Sequence, residues 1–317
     1  MPNAATLKPP KPQTPPPADA VIRPSTPARI FAMLSHRGRV RQNNQDACAA
    51  LPEHGAFVVC DGMGGAAGGE VASHLATEAF LDSLTHARRI PPRAASHAAT
   101  NGAEARGPQR SSIAGVEEAR APERLLIPGA EGPHPVNHPH TRLQQAICAA
   151  NHAVFQRAQK SRTLHGMGTT LVSLLWDDTP VSPTLWVAHV GDSRCYRFRR
   201  GALEQLTSDH SLVEEQVRAG LLSPAQAACS PIRNIITRAI GSQPTVEVEI
   251  ASHTPEPGDL YLLASDGLTR ELEDDEIAQI LTQADPAALE AACQALIDAA
   301  NKNGGRDNIT VLLVARP

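Results

Sequence analysis

Eight short apolar runs, each bounded by glycine, proline or small polar residues, mark predicted β-strands along the chain. They are RIFAMLSHRG (29–38), AFVVCD (56–61), TTLVSLLW (169–176), TLWVAHVG (184–191), SRCYRFRR (193–200), TVEVEI (245–250), DLYLLASD (259–266) and ITVLLVAR (309–316). Three segments carry a helical period instead. From Glu70 to about Thr85, Val71, Leu75 and Ala79 share one face, with Ala72, Ala76, Phe80 and Leu84 beside it. A second helix is predicted from about Gln144 to Lys160. The third runs from Pro286 to about Lys302, with Asp285 as cap, proline in the first turn and a stripe of Leu289, Cys293, Leu296, Ile297 and Ala300. Strands follow one another through short turns rather than alternating with helices, which predicts an antiparallel α+β domain.

Two segments lack either period. Nine prolines fall within residues 1–27, among few large apolar side chains, so this stretch reads as a disordered, partly polyproline tail. Residues from about 86 to 140 mix Pro, Ala, Arg and Gly and read as a low-complexity insert in a domain that spans 28–317. The histidines of HPVNHPH, His134 to His140, are separated by prolines and read as incidental spacing, not a metal tract.

Composition narrows the class. The chain of 317 residues is 41% hydrophobic and only 3% aromatic, so its core is aliphatic and alanine-rich. A formal charge of −4 argues against nucleic acid as a partner and provides no basic face for a membrane. None of the six cysteines stands at C-x-x-C spacing, which argues against a zinc ribbon or redox dithiol. Free thiols, the lack of an apolar signal core in MPNAATLKPPKPQTPPP and the absence of a membrane-length apolar run predict a cytoplasmic protein, and we expect a monomer.

The run AFVVCDGMGG ends a buried strand on Asp61 and then spends three of four residues on glycine. Asp-Gly alone is a common turn. The pattern recurs, however: Asp192 follows TLWVAHVG, Asp266 ends DLYLLAS, Asp307 precedes ITVLLVA and Asp46 precedes ACAA. Converging carboxylates repel unless cations bridge them, and an all-oxygen set suits Mg²⁺ or Mn²⁺. Asp61 is then expected to bridge two ions, with the adjoining glycines making room for close approach.

In order, RQNNQD (41–46), DGMGG (61–65), GMGTT (166–170), GDSR (191–194), SDG (265–267) and DN (307–308) resemble the bacterial metal-dependent protein serine/threonine phosphatases of type 2C. The likeness spans roughly residues 29–316. It implies a four-layer αββα sandwich, two antiparallel sheets flanked by helices, with a binuclear metal site at the sheet edge. It implies that Asp61 bridges the metals, that the Gly62 carbonyl contributes to one, and that Asp46, Asp266 and Asp307 supply further ligands. Arg41 would hold the substrate phosphate, and Asp192 would join Asp266 at a third, weaker ion. Residues 207–243, opening on Asp209-His210-Ser211, correspond to a flap beside the site. The implied reaction is hydrolysis of phosphoserine and phosphothreonine in proteins by a metal-bridged water, opposing a Ser/Thr kinase.

Three positions depart from the family pattern. Gln45 replaces a common acid, Met63 replaces a histidine found in some members, and Arg270 stands where a second aspartate near the third ion is frequent. Three other functions would make different demands on the residues. A pseudophosphatase acting as a phosphoprotein-binding module would be favoured by loss of Asp46, Asp61, Asp266 or Asp307, and all four are present. A nuclease would need a basic surface. A serine esterase on Ser193 would need a histidine in a definable motif.

Overall fold

Strand β3 (Ala56–Met63) shows why the apolar runs are nearly continuous. Its Phe57 and Val59 point into one cluster, with Val172, Leu174, Val187, Tyr261, Leu263, Leu312 and Val314. Its Ala56, Val58 and Cys60 point into another, with the helical residues Ala72, Ala76, Phe80, Leu143, Ile147 and Val154. Successive side chains of a strand face opposite ways, so a strand covered on both faces loses its polar alternation. In the computed structural model, which describes residues 30–87, 138–178 and 183–316, this produces four layers.

One antiparallel sheet has the order β1 (Ile30–His36), β11 (Ile309–Ala315), β10 (Leu260–Ala264), β7 (Arg194–Arg199), β8 (Ala202–Gln205). The other has the order β2 (Asp46–Leu51), β3, β5 (Leu171–Asp177), β6 (Thr184–Val190), β9 (Glu249–His253), with the short β4 (Gly168–Thr169) paired to β3. Helices α1 (Gly65–Ala87) and α2 (Pro139–Gln159) cover the second sheet. Helices α6 (Asp274–Thr282) and α7 (Leu289–Asn303) cover the first, burying Leu289, Cys293, Leu296, Ile297 and Ala300 as expected. Between β8 and β9 lie two short helices, α3 (Leu212–Arg218) and α4 (Pro224–Ala228); a single turn, α5 (Asp266–Thr269), follows β10. The αββα sandwich with two antiparallel sheets is therefore present.

Several boundaries differ from the sequence reading. Helix α1 begins at Gly65 rather than near Glu70, because Gly68 and Gly69 are helical despite their low propensity. A Cβ on Gly69 would stand 2.7 Å from the Gly62 carbonyl carbon and oxygen, so glycine lets the helix press on the β3 backbone. Helix α2 starts at Pro139, within the expected insert, with proline in its first turn. Helix α7 starts at Leu289, not Pro286: Asp285 Oδ1 accepts from Ala287 N at 2.9 Å and shapes a turn ahead of the helix. The strand expected over 245–250 begins at Glu249, because α2's Asn151 Nδ2 donates to the carbonyls of Gln243 (3.1 Å) and Pro244 (3.3 Å) and holds the preceding chain off the sheet. Strand β10 ends at Ala264, so Asp266 opens a helical turn instead of closing the strand. The tail over 1–27 and residues 88–137 of the insert lie outside the described residues.

Candidate metal centre

Strand register brings the five aspartates to one end of the sandwich. Asp46 is paired with Asp61 across β2 and β3. Ala264 is opposite both Val311 of β11 and Arg194 of β7, so the segments carrying Asp266, Asp307 and Asp192 emerge side by side. A cavity of about 570 Å³ opens there, lined by Asp61, Asp192, Asp266 and Asp307 with Arg41 and Arg270.

Neutral side chains fix the acids. Asp46 Oδ2 accepts from Ser265 Oγ at 2.8 Å and from Thr310 Oγ1 at 2.7 Å, bonds that join the two sheets. The Asp61 backbone is held on both sides: its N donates to Thr170 Oγ1 at 2.9 Å, and its carbonyl accepts from Thr169 Oγ1 and Thr170 N, each at 2.8 Å. Asn308 staples the Asp307 loop to the 37–45 loop, accepting from Gln45 N at 2.8 Å and donating to the carbonyls of Arg37 (3.0 Å) and Asn43 (2.9 Å). In the sequence Thr169, Thr170, Ser265 and Asn308 are motif letters without roles, and Thr310 carries no signal of its own. A serine, threonine or asparagine inside a motif is the only hint of these contacts.

Crowding raises the acids' affinity for protons. Burial is the main cause that pushes Asp46 to about 6, Asp266 to about 6 and Asp192 to about 7. Asp61 is pushed well above the usual range by burial and then by the charges of Asp46, Asp266, Asp192 and Asp307. Such a cluster calls for cations. Asp46 Oδ1 and Asp266 Oδ1 are buried and accept no hydrogen bond from the described residues. Leaving such oxygens without a partner is costly, and a hard divalent ion supplies what they lack. The residues present therefore fit Mg²⁺ or Mn²⁺. Because ions compete with protons for Asp46 and Asp266, the apparent Mn²⁺ affinity is expected to rise as the pH rises through about 6. Calorimetric titration at a series of pH values measures this. A flat profile would count against these carboxylates as ligands.

Gly62 has a tighter reason for being glycine than access for an ion. A Cβ there would lie 2.1 Å from the Gly69 carbonyl oxygen and 2.5 Å from that of Gln45, both backbone atoms. Gly267 is similarly constrained: a Cβ on it would lie 1.9 Å from the Asn308 carbonyl oxygen. Gly62→Ala is expected to destabilise the fold by at least about 1–3 kcal/mol, the usual range for overpacking. Urea unfolding in EDTA measures it, and an unchanged midpoint would refute the packing role.

The two arginines are placed differently. Arg41, half-exposed at the rim, donates from Nη2 to Asp307 Oδ2 at 2.7 Å. Arg270 turns inward instead of toward Glu271, Glu273 or solvent: it pairs with Asp266 and lies 3.6 Å from Asp192 and 3.7 Å from Asp307. Met63 lines the cavity and has no proton to give, while Gln45 Nε2 donates to the Gly65 carbonyl at 2.6 Å.

The 207–243 segment is anchored beside the cavity, and its Asn234 and Ile236 reach the lining. His210 N donates to the Gly191 carbonyl at 3.0 Å, and Gly191 N donates to His210 Nδ1 at 3.1 Å. Arg194 grips Asp209 through Nε and Nη2. His189, His210 and Glu249 lie close enough together to suggest a cation site. The Gly191 bond, however, makes Nδ1 the acceptor and leaves the proton on Nε2, which faces Glu249 and stands 3.3 Å from Arg238 Nη1. Burial pushes His210 down to about 4. His210 is thus a neutral clamp that ties the root of the segment to Gly191.

An αββα sandwich with a buried carboxylate cluster and an arginine at its rim has the groups that metal-assisted phosphoryl chemistry requires. The protein phosphatase 2C profile matches residues 35–313. The chain is 32% identical to the serine/threonine phosphatase stp of Listeria innocua, covering 88% of this chain and 93% of that one. It is also 32% identical to the serine/threonine protein phosphatase PstP of Mycobacterium tuberculosis, covering 89% of this chain and 44% of the longer relative. Among solved structures, the S. agalactiae serine/threonine phosphatase superposes with a TM-score of 0.68 at 31% identity, covering 91% of this chain and all of that one. The PstP catalytic domain in complex with two manganese ions superposes with a TM-score of 0.64 at 29% identity, covering 90% and 97%. The chain belongs to the protein phosphatase 2C family and is a protein-serine/threonine phosphatase.

Proposed function

We propose that Asp46, Asp61, the Gly62 carbonyl, Asp266 and Asp307 hold two divalent ions, Mn²⁺ or Mg²⁺, and that Arg41 receives the substrate phosphate. The observation that carries this reading is the pair of buried, unpartnered oxygens, Asp46 Oδ1 and Asp266 Oδ1, in the carboxylate cluster that has Arg41 at its rim. When bound, the ions supply a water of lowered pKa and positive charge for the phosphoryl oxygens. The chain's own residues do the rest. Ser265 and Thr310 hold Asp46 in one orientation, and the Thr169–Thr170 pair prevents Asp61 from shifting under load. Arg41 gives Nη2 to Asp307 and has further guanidinium donors for phosphate oxygens. With Met63 unable to donate a proton, another group or solvent in the cavity protonates the leaving alkoxide.

We assign this activity to a domain over 28–317, with 207–243 as the flap, and the phosphoproteins made by a Ser/Thr kinase as substrates. A monomer in the cytoplasm remains our expectation. Among the described residues no helix is long and apolar enough to cross a membrane. Hydrolysis of a phosphothreonine peptide with added Mn²⁺, with Mg²⁺ and in EDTA tests the reading. Activity should vanish on chelation and return with metal; hydrolysis that persists through exhaustive chelation would overturn it.

A further inference from the structure

The oxygens of the centre fall into two sets. Asp46 Oδ1 and Asp266 Oδ1 accept no bond, whereas Asp266 Oδ2 is paired with Arg270. The same guanidinium stands 3.6 Å from Asp192 Oδ2 and 3.7 Å from Asp307 Oδ2. It is held there by local geometry. Asp266 opens the turn that Arg270 closes, Arg270 N donates to the Asp266 carbonyl at 2.9 Å, and a four-residue spacing brings the two side chains onto one face.

We propose that Arg270 is a resident cation of the centre: it closes the Asp192 side and confines divalent ions to the side served by Asp46, Asp61, Asp266 Oδ1 and Asp307. The inference rests on reading the cluster as a metal centre. Three observations carry it. The Arg270 side chain is half-buried, 27% exposed, so water screens it less than at the open surface. It lies on three carboxylates at once, from three different segments of the chain. Asp192 and Asp266, at 10% and 12% side-chain exposure, have little water to stabilise their charge without it. An ion shared by Asp192 and Asp266 Oδ2 would have to occupy the guanidinium's place or touch it, and like charges in a partly buried site repel strongly. Unlike an ion, Arg270 stays when metal is removed, so the Asp192 side is countered in the metal-free protein too.

The test uses the full chain and two readouts other than activity. Calorimetric titration with Mn²⁺ should show two binding events in the parent, and an added weaker one in Arg270→Asp that a second change, Asp192→Asn, removes. In EDTA, Arg270→Met should melt roughly 5 °C or more below the parent, because it leaves buried carboxylates without their counter-charge. Arg270→Lys, which keeps the charge on a shorter reach, should recover part of that shift. A third event in the parent that Asp192→Asn abolishes, or no added event in a folded Arg270→Asp, overturns the proposal. So does a melting temperature in EDTA that Arg270→Met leaves unchanged. Failure of the parent to bind any Mn²⁺ would sink the metal-centre reading instead, and the metal-free melts would still decide whether Arg270 acts as the counter-charge.

Discussion

Asp61→Asn is expected to lower turnover on a phosphothreonine peptide by at least ~10³-fold, or about 4 kcal/mol of transition-state stabilisation. The substitution preserves size and leaves the backbone bonds to Thr169 and Thr170 intact, so the fold has no steric reason to change. What it removes is the charge at the middle of the cluster, where Asp46, Asp266, Asp192 and Asp307 all raise the Asp61 pKa. Two results should therefore diverge. Mn²⁺ binding and hydrolysis fall together, while melting in EDTA at about pH 8 is unchanged or higher, because one repelling carboxylate has gone. Steady-state kinetics, calorimetry and a thermal melt on the same preparation separate the two. Full activity in Asp61→Asn would remove the site assignment altogether.

Arg41→Ala is expected to lower kcat/KM roughly a hundredfold, with KM raised and kcat reduced. A hydrogen-bonded charge pair with a phosphate contributes about 2–3 kcal/mol, and charge on the phosphoryl oxygens has to be held through the transition state. The ion pair with Asp307 suggests a competing, purely structural role. The two roles separate on Arg41→Lys: a lysine can keep a salt bridge to Asp307 but lacks the forked donors, so it should recover stability far better than kcat/KM. A change in kcat/KM of less than threefold in Arg41→Ala would leave Arg41 with the structural role alone.

Much of the site was legible because its signals are local. Asp61 and Asp192 stand at or just after the end of an apolar run and beside glycine or serine, and backbone geometry near a strand end makes that combination distinctive. Asp266 is marked in the same way, although it opens a helical turn rather than ending β10. Asp46 is marked by its motif, but the two hydroxyls that orient it lie 219 and 264 residues further along the chain. Ser265 has the appearance of an ordinary turn residue, and Thr310 of an ordinary strand residue. The element boundaries depart from the local pattern for the same reason. Gly68 and Gly69 disfavour a helix in isolation, but at Gly69 contact with the Gly62 backbone requires glycine inside α1. Thr245 to Val248 alternate like a strand, yet Asn151 of α2 captures the carbonyls just before them.

The amino-acid pattern by itself determined the class of fold and the chemical character of the site: doubly buried strands, helices to cover them, and strand-end carboxylates without C-x-x-C thiols. Those properties follow from side-chain alternation and residue type, which are fixed before the chain folds. Only tertiary structure decided how charge is distributed among the clustered carboxylates. The sequence places Arg270 four residues after Asp266, but whether its guanidinium turns inward depends on Asp192 and Asp307 arriving from two other segments. Likewise, His189, His210 and Glu249 have the residue types of a metal site, and a single backbone donor, Gly191 N–H, fixes the tautomer that makes His210 a clamp. Electrostatic and hydrogen-bond partners act over a few ångströms in space, and separation along the chain says little about which atoms will come that close.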